Sequence, residues 1–225
     1  MSITTTHLIR AAGISAVVAG LLFIAVQVNH PPLDLALAVS TEWVVREGMK
    51  LGGSVLALMG ITGMYLSQTT KAGVLGLLGY LTFGAAFLTM FAVQTIGVVV
   101  LPTLAHSAPG YVGDVLAVAG GGTAGGDLGN FATLSMLGGL TYMAGGLVFG
   151  IALFRANVLA RWASILLAVA TPISLAIPLL PMVNPRLFAV PTGLALIALG
   201  SSLWRETRSR AAVSVTSAPL ASVVH

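Results

Sequence analysis

The chain has 225 residues, 57% of them apolar and only 7% charged, and its mean hydropathy is +1.01. An ordinary soluble domain carries about 25% charged residues; ten basic and six acidic side chains cannot cover the surface of a water-soluble protein of this length. A soluble globular enzyme, a disordered chain and a nucleic-acid binder are thereby excluded, and the pI near 10 reflects a small basic surplus rather than a basic face. Cysteine is absent, which removes disulfides, thiolate nucleophiles and Cys-ligated metals.

A helix needs roughly 20 mostly apolar residues to cross the hydrocarbon core. Six stretches qualify, at 8–28, 49–66, 74–101, 131–154, 163–180 and 187–204. Their apolar runs are continuous, unlike the alternating segments of a barrel. The expected fold is all-α: a polytopic membrane protein, a bundle of six transmembrane helices forming one domain over 1–206, with a flexible cytoplasmic tail at 207–225. The first stretch reads as an uncleaved span, because its apolar run is longer than a signal h-region and no small-x-small site precedes Asn29. The third reads as one long or tilted helix that Pro102 ends. Pro178 and Pro181 close the fifth, Asn184-Pro185-Arg186 makes a turn, and Pro191 sits in the first turns of the sixth.

Six spans put both termini on one side. That side holds Arg10, Lys71, Arg155, Arg161, Arg205, Arg208 and Arg210, against Arg46, Lys50 and Arg186 on the other. Short loops rich in Lys and Arg stay cytoplasmic, so both ends are expected inside, in a bacterial plasma (inner) membrane. Asp34, Glu42, Glu47, Asp114 and Asp127 fall outside and only Glu206 inside. Trp162 and Trp204 beside arginines at the inner ends, and Trp43 at the outer side, match an interfacial aromatic belt.

Lipid gives helices no hydrophobic reason to associate, so close approach relies on small residues. Ala12, Ala16 and Gly20 form such a stripe on the first span, as do Gly53, Ala57 and Gly60 on the second. Gly73, Gly76, Tyr80 and Gly84 follow on the third, and Gly139, Gly146 and Gly150 on the fourth. LGGSVLALMG at Leu51 echoes LGGLTYMAGG at Leu137, the pattern of a duplicated hairpin.

The segment AVAGGGTAGGDLGN contains a G-x-G-x-x-G match at Gly120, Gly122 and Gly125 after a strand-like VLAVA. A dinucleotide site also needs an acidic residue about 20 positions on, and none occurs through Phe154. The loop is expected only to lead into the fourth helix, with Asn130 as N-cap. His30, Asp34, Glu42, Glu47, His106, Asp114 and Asp127 are metal-ligand types on the outer side, but without HxxxH or HExxH spacing. No metal or cofactor is expected, and a zinc-type site would require His30 and His106 to converge. Glu42 with Arg46 and Glu47 with Lys50 are helical neighbours that satisfy one another at the wet start of the second helix. Arg46 offers a donor fork to an organic anion. The hydrocarbon zone otherwise lacks ionisable side chains, which argues against a proton- or sodium-coupled transporter. Gln94 and Tyr142 are the polar groups best placed to line a ligand pocket.

The segment ALFRANVLARWASILLAV, at 152–169, resembles small uncharacterised polytopic integral membrane proteins of high-GC bacteria; the resemblance implies inner-membrane residence and carries no activity. Ala12 and Ala16 are also similar to the Ala-x-x-x-Ala patch with which the six-span substrate-binding subunits of vitamin importers dock their energising subunit, which would imply an importer subunit. The leading expectation is a membrane protein without chemistry of its own that binds a small apolar ligand or a partner subunit, or self-associates, and contacts no nucleic acid. His30, Arg46, Gln94, His106 and Tyr142 are its candidate ligand-binding residues. A membrane enzyme with an outer metal site is the third alternative.

Overall fold

The computed structural model describes residues 4–173, 187 and 189–216, with side chains through Arg208. Among the described residues all regular structure is helical: α1 (Thr5–Ala25), α2 (Leu35–Ala38), α3 (Thr41–Leu66), α4 (Thr69–Val99), α5 (Leu101–Ser107), α6 (Pro109–Ala119), α7 (Asn130–Ala156), α8 (Arg161–Ala170) and α9 (Ala189–Thr216). Four of them, α1, α3, α4 and α7, are long and apolar enough to cross a membrane, consistent with a helical membrane protein. α8 is described for ten residues. The prolines and the polar turn expected between 178 and 186 lie outside the described residues.

Helix ends follow local chemistry. The Ser40 hydroxyl accepts from the Trp43 N–H at 3.1 Å and starts α3 two turns before the apolar run, with Glu42 in the first turn. Asp34 caps α2 through the Leu37 N–H. Asn157, at φ +50°, ends α7 in the left-handed conformation that stops helices. Gly73, at φ +58° and ψ −154°, breaks α4 into a first turn and a long continuation; only glycine takes this geometry without strain.

The long helices pack as a closed ring in the order α1, α3, α4, α7, α8, α9 and back to α1. Small residues make each approach close. A Cβ on Gly60 would lie 2.7 Å from Ala16 Cβ, and one on Gly13 would lie 2.9 Å from the Gly200 carbonyl oxygen. A Cβ on Gly79 would lie 2.6 Å from Phe149 Cα, and one on Gly150 would lie 2.7 Å from Ala168 N. Between α3 and α4, Tyr65 and Tyr80 stack at 4.9 Å and the Tyr80 hydroxyl meets Thr62 Oγ1 at 3.1 Å. Phe83, Phe87 and Phe149 fill the centre. Outward, Leu21, Met59, Leu81, Leu88, Leu140 and Ile151 are exposed on successive helices, an apolar girdle that water does not tolerate and lipid does.

Two expectations are corrected here. Pro102 does not end the helical path: α4 stops at Val99, and Pro102 sits in the first turn of α5, where its missing N–H costs nothing. VLAVA is the end of α6, not a strand, because a short apolar run fits either period and tertiary packing decides. α9 itself runs from Ala189 to Thr216, and Thr207 turns its hydroxyl back to the Leu203 and Trp204 carbonyls.

α2, α5 and α6 form a cap over one end of the ring. Leu37, Trp43, Leu101, Val112, Val115, Leu116 and Leu128 make its own small core. Charges are biased by end, with Arg46 and Lys50 at the capped end and Glu206 at the opposite one as exceptions. Arg10, Lys71, Arg155, Arg161, Arg205 and Arg208 belong to the end opposite the cap, where Arg161 lies 4.2 Å over Phe154 and Arg208 4.8 Å over Trp204. Asp34, Glu42, Glu47, Asp114 and Asp127 belong to the capped end.

Candidate functional site

Beneath the cap lies a chamber of about 510 Å³, within the size range of small-molecule sites. α1 and its exit contribute Gln27, His30 and Leu33; α3 contributes Trp43, Glu47 and Lys50; α4 contributes Val93, Gln94 and Gly97. Leu101, α6 with the following Gly120 and Gly121, Phe131 of α7 and Ala189 of α9 close the walls. Two apolar recesses continue from it. One, of about 300 Å³, runs between α4 and α7 from Gln94 past Ser135 and Gly139 to Tyr142. The other, about 160 Å³, runs between α1, α3 and α4 and shares Gln27, Lys50 and Gln94 with the chamber. A larger hollow of about 600 Å³ flanks the cap, but among the described residues no charged side chain lines it.

The charged centre of the chamber is a pair. Glu47 is almost wholly buried, and its carboxylate accepts from Lys50 Nζ. Lys50 keeps about a quarter of its side chain exposed and also lies 6.0 Å from the Trp43 ring centroid. Trp43 in turn donates its indole N–H to the Gly97 carbonyl at 2.8 Å. Gly97 leaves room for the carboxylate: a Cβ there would stand 3.2 Å from Glu47 Oε2. A buried ion pair survives only when its geometry is good and its remaining polar atoms find partners; here the cap and α4 provide the enclosure.

The sequence-predicted residues divide. His30 and Gln94 line the chamber, and Tyr142 closes the α4–α7 recess, facing Thr192 of α9. Arg46 is occupied elsewhere. It pairs with Glu42 at 2.7 Å and donates to the carbonyls of Val26, Val28 and Asn29, binding up the exit of α1. His106, at the end of α5, is not among the chamber's lining residues. Among the described residues no three His, Asp or Glu side chains come within reach of one metal ion.

The glycine-rich segment also has a structural employment. Its Gly125 and Gly126 N–H groups donate to the two carboxylate oxygens of Asp114 at 2.8 and 2.9 Å. The chain's own carboxylate thus takes the place an anion would hold in a phosphate loop. Asp127 accepts from Gly129 N–H at 2.7 Å; Asn130 is the first residue of α7 rather than its cap, which is Gly129 at φ +56°.

Sequence reasoning passed over Gln27, and it read Trp43 as an interfacial aromatic and Glu47 with Lys50 as a mutually satisfied pair at the wet start of the helix rather than as chamber lining. The signal was present. The buried stripe of α3 includes Trp43, Glu47, Ser54, Ala57, Ile61 and Met64; its steps are threes and fours apart from a seven-residue step from Glu47 to Ser54, which Lys50 divides into three and four. Both members of the ion pair therefore lie on the inward face. Comparison with protein families, curated proteins and solved structures finds no match to this chain.

Proposed function

We propose that this chain is a six-span protein of a bacterial inner membrane, with both termini cytoplasmic, that holds a small, largely apolar ligand in the chamber under its cap. The observation that carries this reading is the chamber itself: apolar walls, a few convergent polar groups, and two amides, Gln27 and Gln94, that make no side-chain hydrogen bond among the described residues. The ring of α1, α3, α4, α7, α8 and α9 supports six crossings. The basic end opposite the cap supports an inward orientation.

The importer reading loses its docking surface. Ala12 and Ala16 are buried, packed against Gly63 and Gly60 of α3, so the Ala-x-x-x-Ala step holds the bundle together instead of facing a partner. Nothing in the helix geometry favours that alternative over simple ligand binding.

Native mass spectrometry of the protein released from membrane nanodiscs tests the proposal. A bound species below about 1 kDa, the scale a pocket of this size admits, is expected on the parent protein. It should vanish from Ala119→Trp, whose indole fills the junction of the chamber and the α4–α7 recess. Absence of any adduct, with no thermal stabilisation by a total membrane-lipid extract, counts against a binding role. Reporter fusions at the two termini are expected to read cytoplasmic; opposite sides would remove the six-span arrangement.

A further inference from the structure

We propose that the ligand is an uncharged amphiphile: a head bearing hydroxyl or carbonyl oxygens set against Lys50, Gln27 and Gln94, and a hydrocarbon chain lying in the recess between α4 and α7. This rests on the binding role just proposed and names its ligand class.

The charge arithmetic of the chamber sets the head group. Among the described residues its charged lining side chains are Glu47 and Lys50, and they neutralise each other. His30 is engaged through Nδ1 with the Pro31 carbonyl oxygen at 2.9 Å. An anionic head would have to share an ammonium already paired with a buried carboxylate, and a cationic head would have to compete with Lys50 for Glu47. Either leaves one net charge unbalanced beside a buried ion pair among mostly apolar walls, where desolvation penalises it. A neutral oxygen avoids that cost. Lys50 has three donors and gives one to Glu47. The unpartnered amides of Gln27 and Gln94 offer donors and acceptors at the same mouth.

The shape of the recess sets the tail. From Gln94 it descends along α4 to Ala86 and along α7 to Tyr142. That is about two turns of helix, or roughly 12 Å at 1.5 Å per residue. Gly139 faces open space there, with no atom within 4 Å of a Cβ built on it, unlike Gly145 and Gly146 about two turns on. A row of small side chains that ends in unfilled volume, continuous with a polar mouth, matches a chain with one wet end.

Two probes that differ only at the head decide it: cis-parinaric acid and its methyl ester, whose tetraene accepts energy from tryptophan. Trp43 lines the chamber; Trp162 and Trp204, both exposed on α8 and α9, are replaced by phenylalanine so that Trp43 alone reports. At an alkaline pH where the acid is ionised, the ester is expected to bind about tenfold tighter or more. Glu47→Gln removes the internal counter-ion and should reverse the order, so that the acid binds better. Gly139→Phe, which fills the recess without a backbone clash, should abolish transfer from both probes. Equal affinities, or an acid that binds more tightly to the parent protein, overturn the neutral-head assignment while leaving a binding chamber. Should Glu47→Gln fail to fold, the ester-to-acid ratio in the parent protein still decides. If neither probe receives energy from Trp43, the binding role falls together with this inference.

Discussion

Trp43 and Gly97, 54 residues apart, are joined by one hydrogen bond: the indole N–H of α3 donates to a carbonyl in the last turn of α4 at 2.8 Å. The last four carbonyls of a helix lack partners within it. The bond therefore satisfies a terminal acceptor and also fixes the face of α3 that carries Glu47. Trp43→Phe keeps the ring and removes the donor; it should cost about 1–2 kcal/mol, seen as a lower midpoint of thermal unfolding in detergent. Gly97→Ala, which keeps the bond but brings a methyl to 3.2 Å from Glu47 Oε2, should instead disturb the pair and reduce binding of the ester probe.

Arg46 binds three carbonyls beyond α1 while pairing with a half-exposed Glu42. The carbonyl contacts, not the ion pair, should dominate its contribution. Arg46→Ala is expected to cost about 2–3 kcal/mol. Glu42→Gln should cost no more than about 1 kcal/mol. Arg46→Lys should recover only part, because an ammonium cannot span acceptors that the guanidinium fork reaches together. Thermal unfolding of the four proteins gives the order directly; a loss on Glu42→Gln as large as that on Arg46→Ala contradicts it.

Two glycines of α7 should respond oppositely to the same methyl group. At Gly145 a Cβ would stand 2.5 Å from Phe83 Cα, so Gly145→Ala must part α4 from α7 and is expected to destabilise by about 1–3 kcal/mol or more. At Gly139 the space is open, and Gly139→Ala should be neutral or stabilising by up to about 1 kcal/mol through helix propensity. Comparable losses at both positions would show that the recess is filled.

Asp114 uses both carboxylate oxygens, one on each of two successive N–H groups. Asn offers a single acceptor, so Asp114→Asn must strand one of them. Amide exchange at Gly125 and Gly126 should rise about tenfold, reflecting the loss of a charge-assisted bond. Exchange in α7 beyond its first turns should be unchanged. Faster exchange spread over the whole of α7 would mean that Asp114 supports the helix rather than the loop.

Composition and hydropathy by themselves determined that the chain is helical and suited to lipid, because a bilayer allows few ways to satisfy backbone polar groups and demands long apolar runs. The small-residue stripes at Ala12, Ala16, Gly60 and Gly150 were equally legible, since close packing in lipid has no other device. Local spacing even foretold the partners of Glu42 and Glu47. Only the tertiary structure decided which pair is buried. Helical neighbours share a spacing whether they face water or a chamber, and the difference comes from α4 and the cap closing over Glu47 but not over Glu42. The same holds for Arg46, whose carbonyl partners lie 17 to 20 residues away, and for Gly125 and Gly126, whose N–H groups face an aspartate on the preceding helix. One-dimensional pattern records which side a residue faces; what stands opposite it is set by the order in which six helices close a ring.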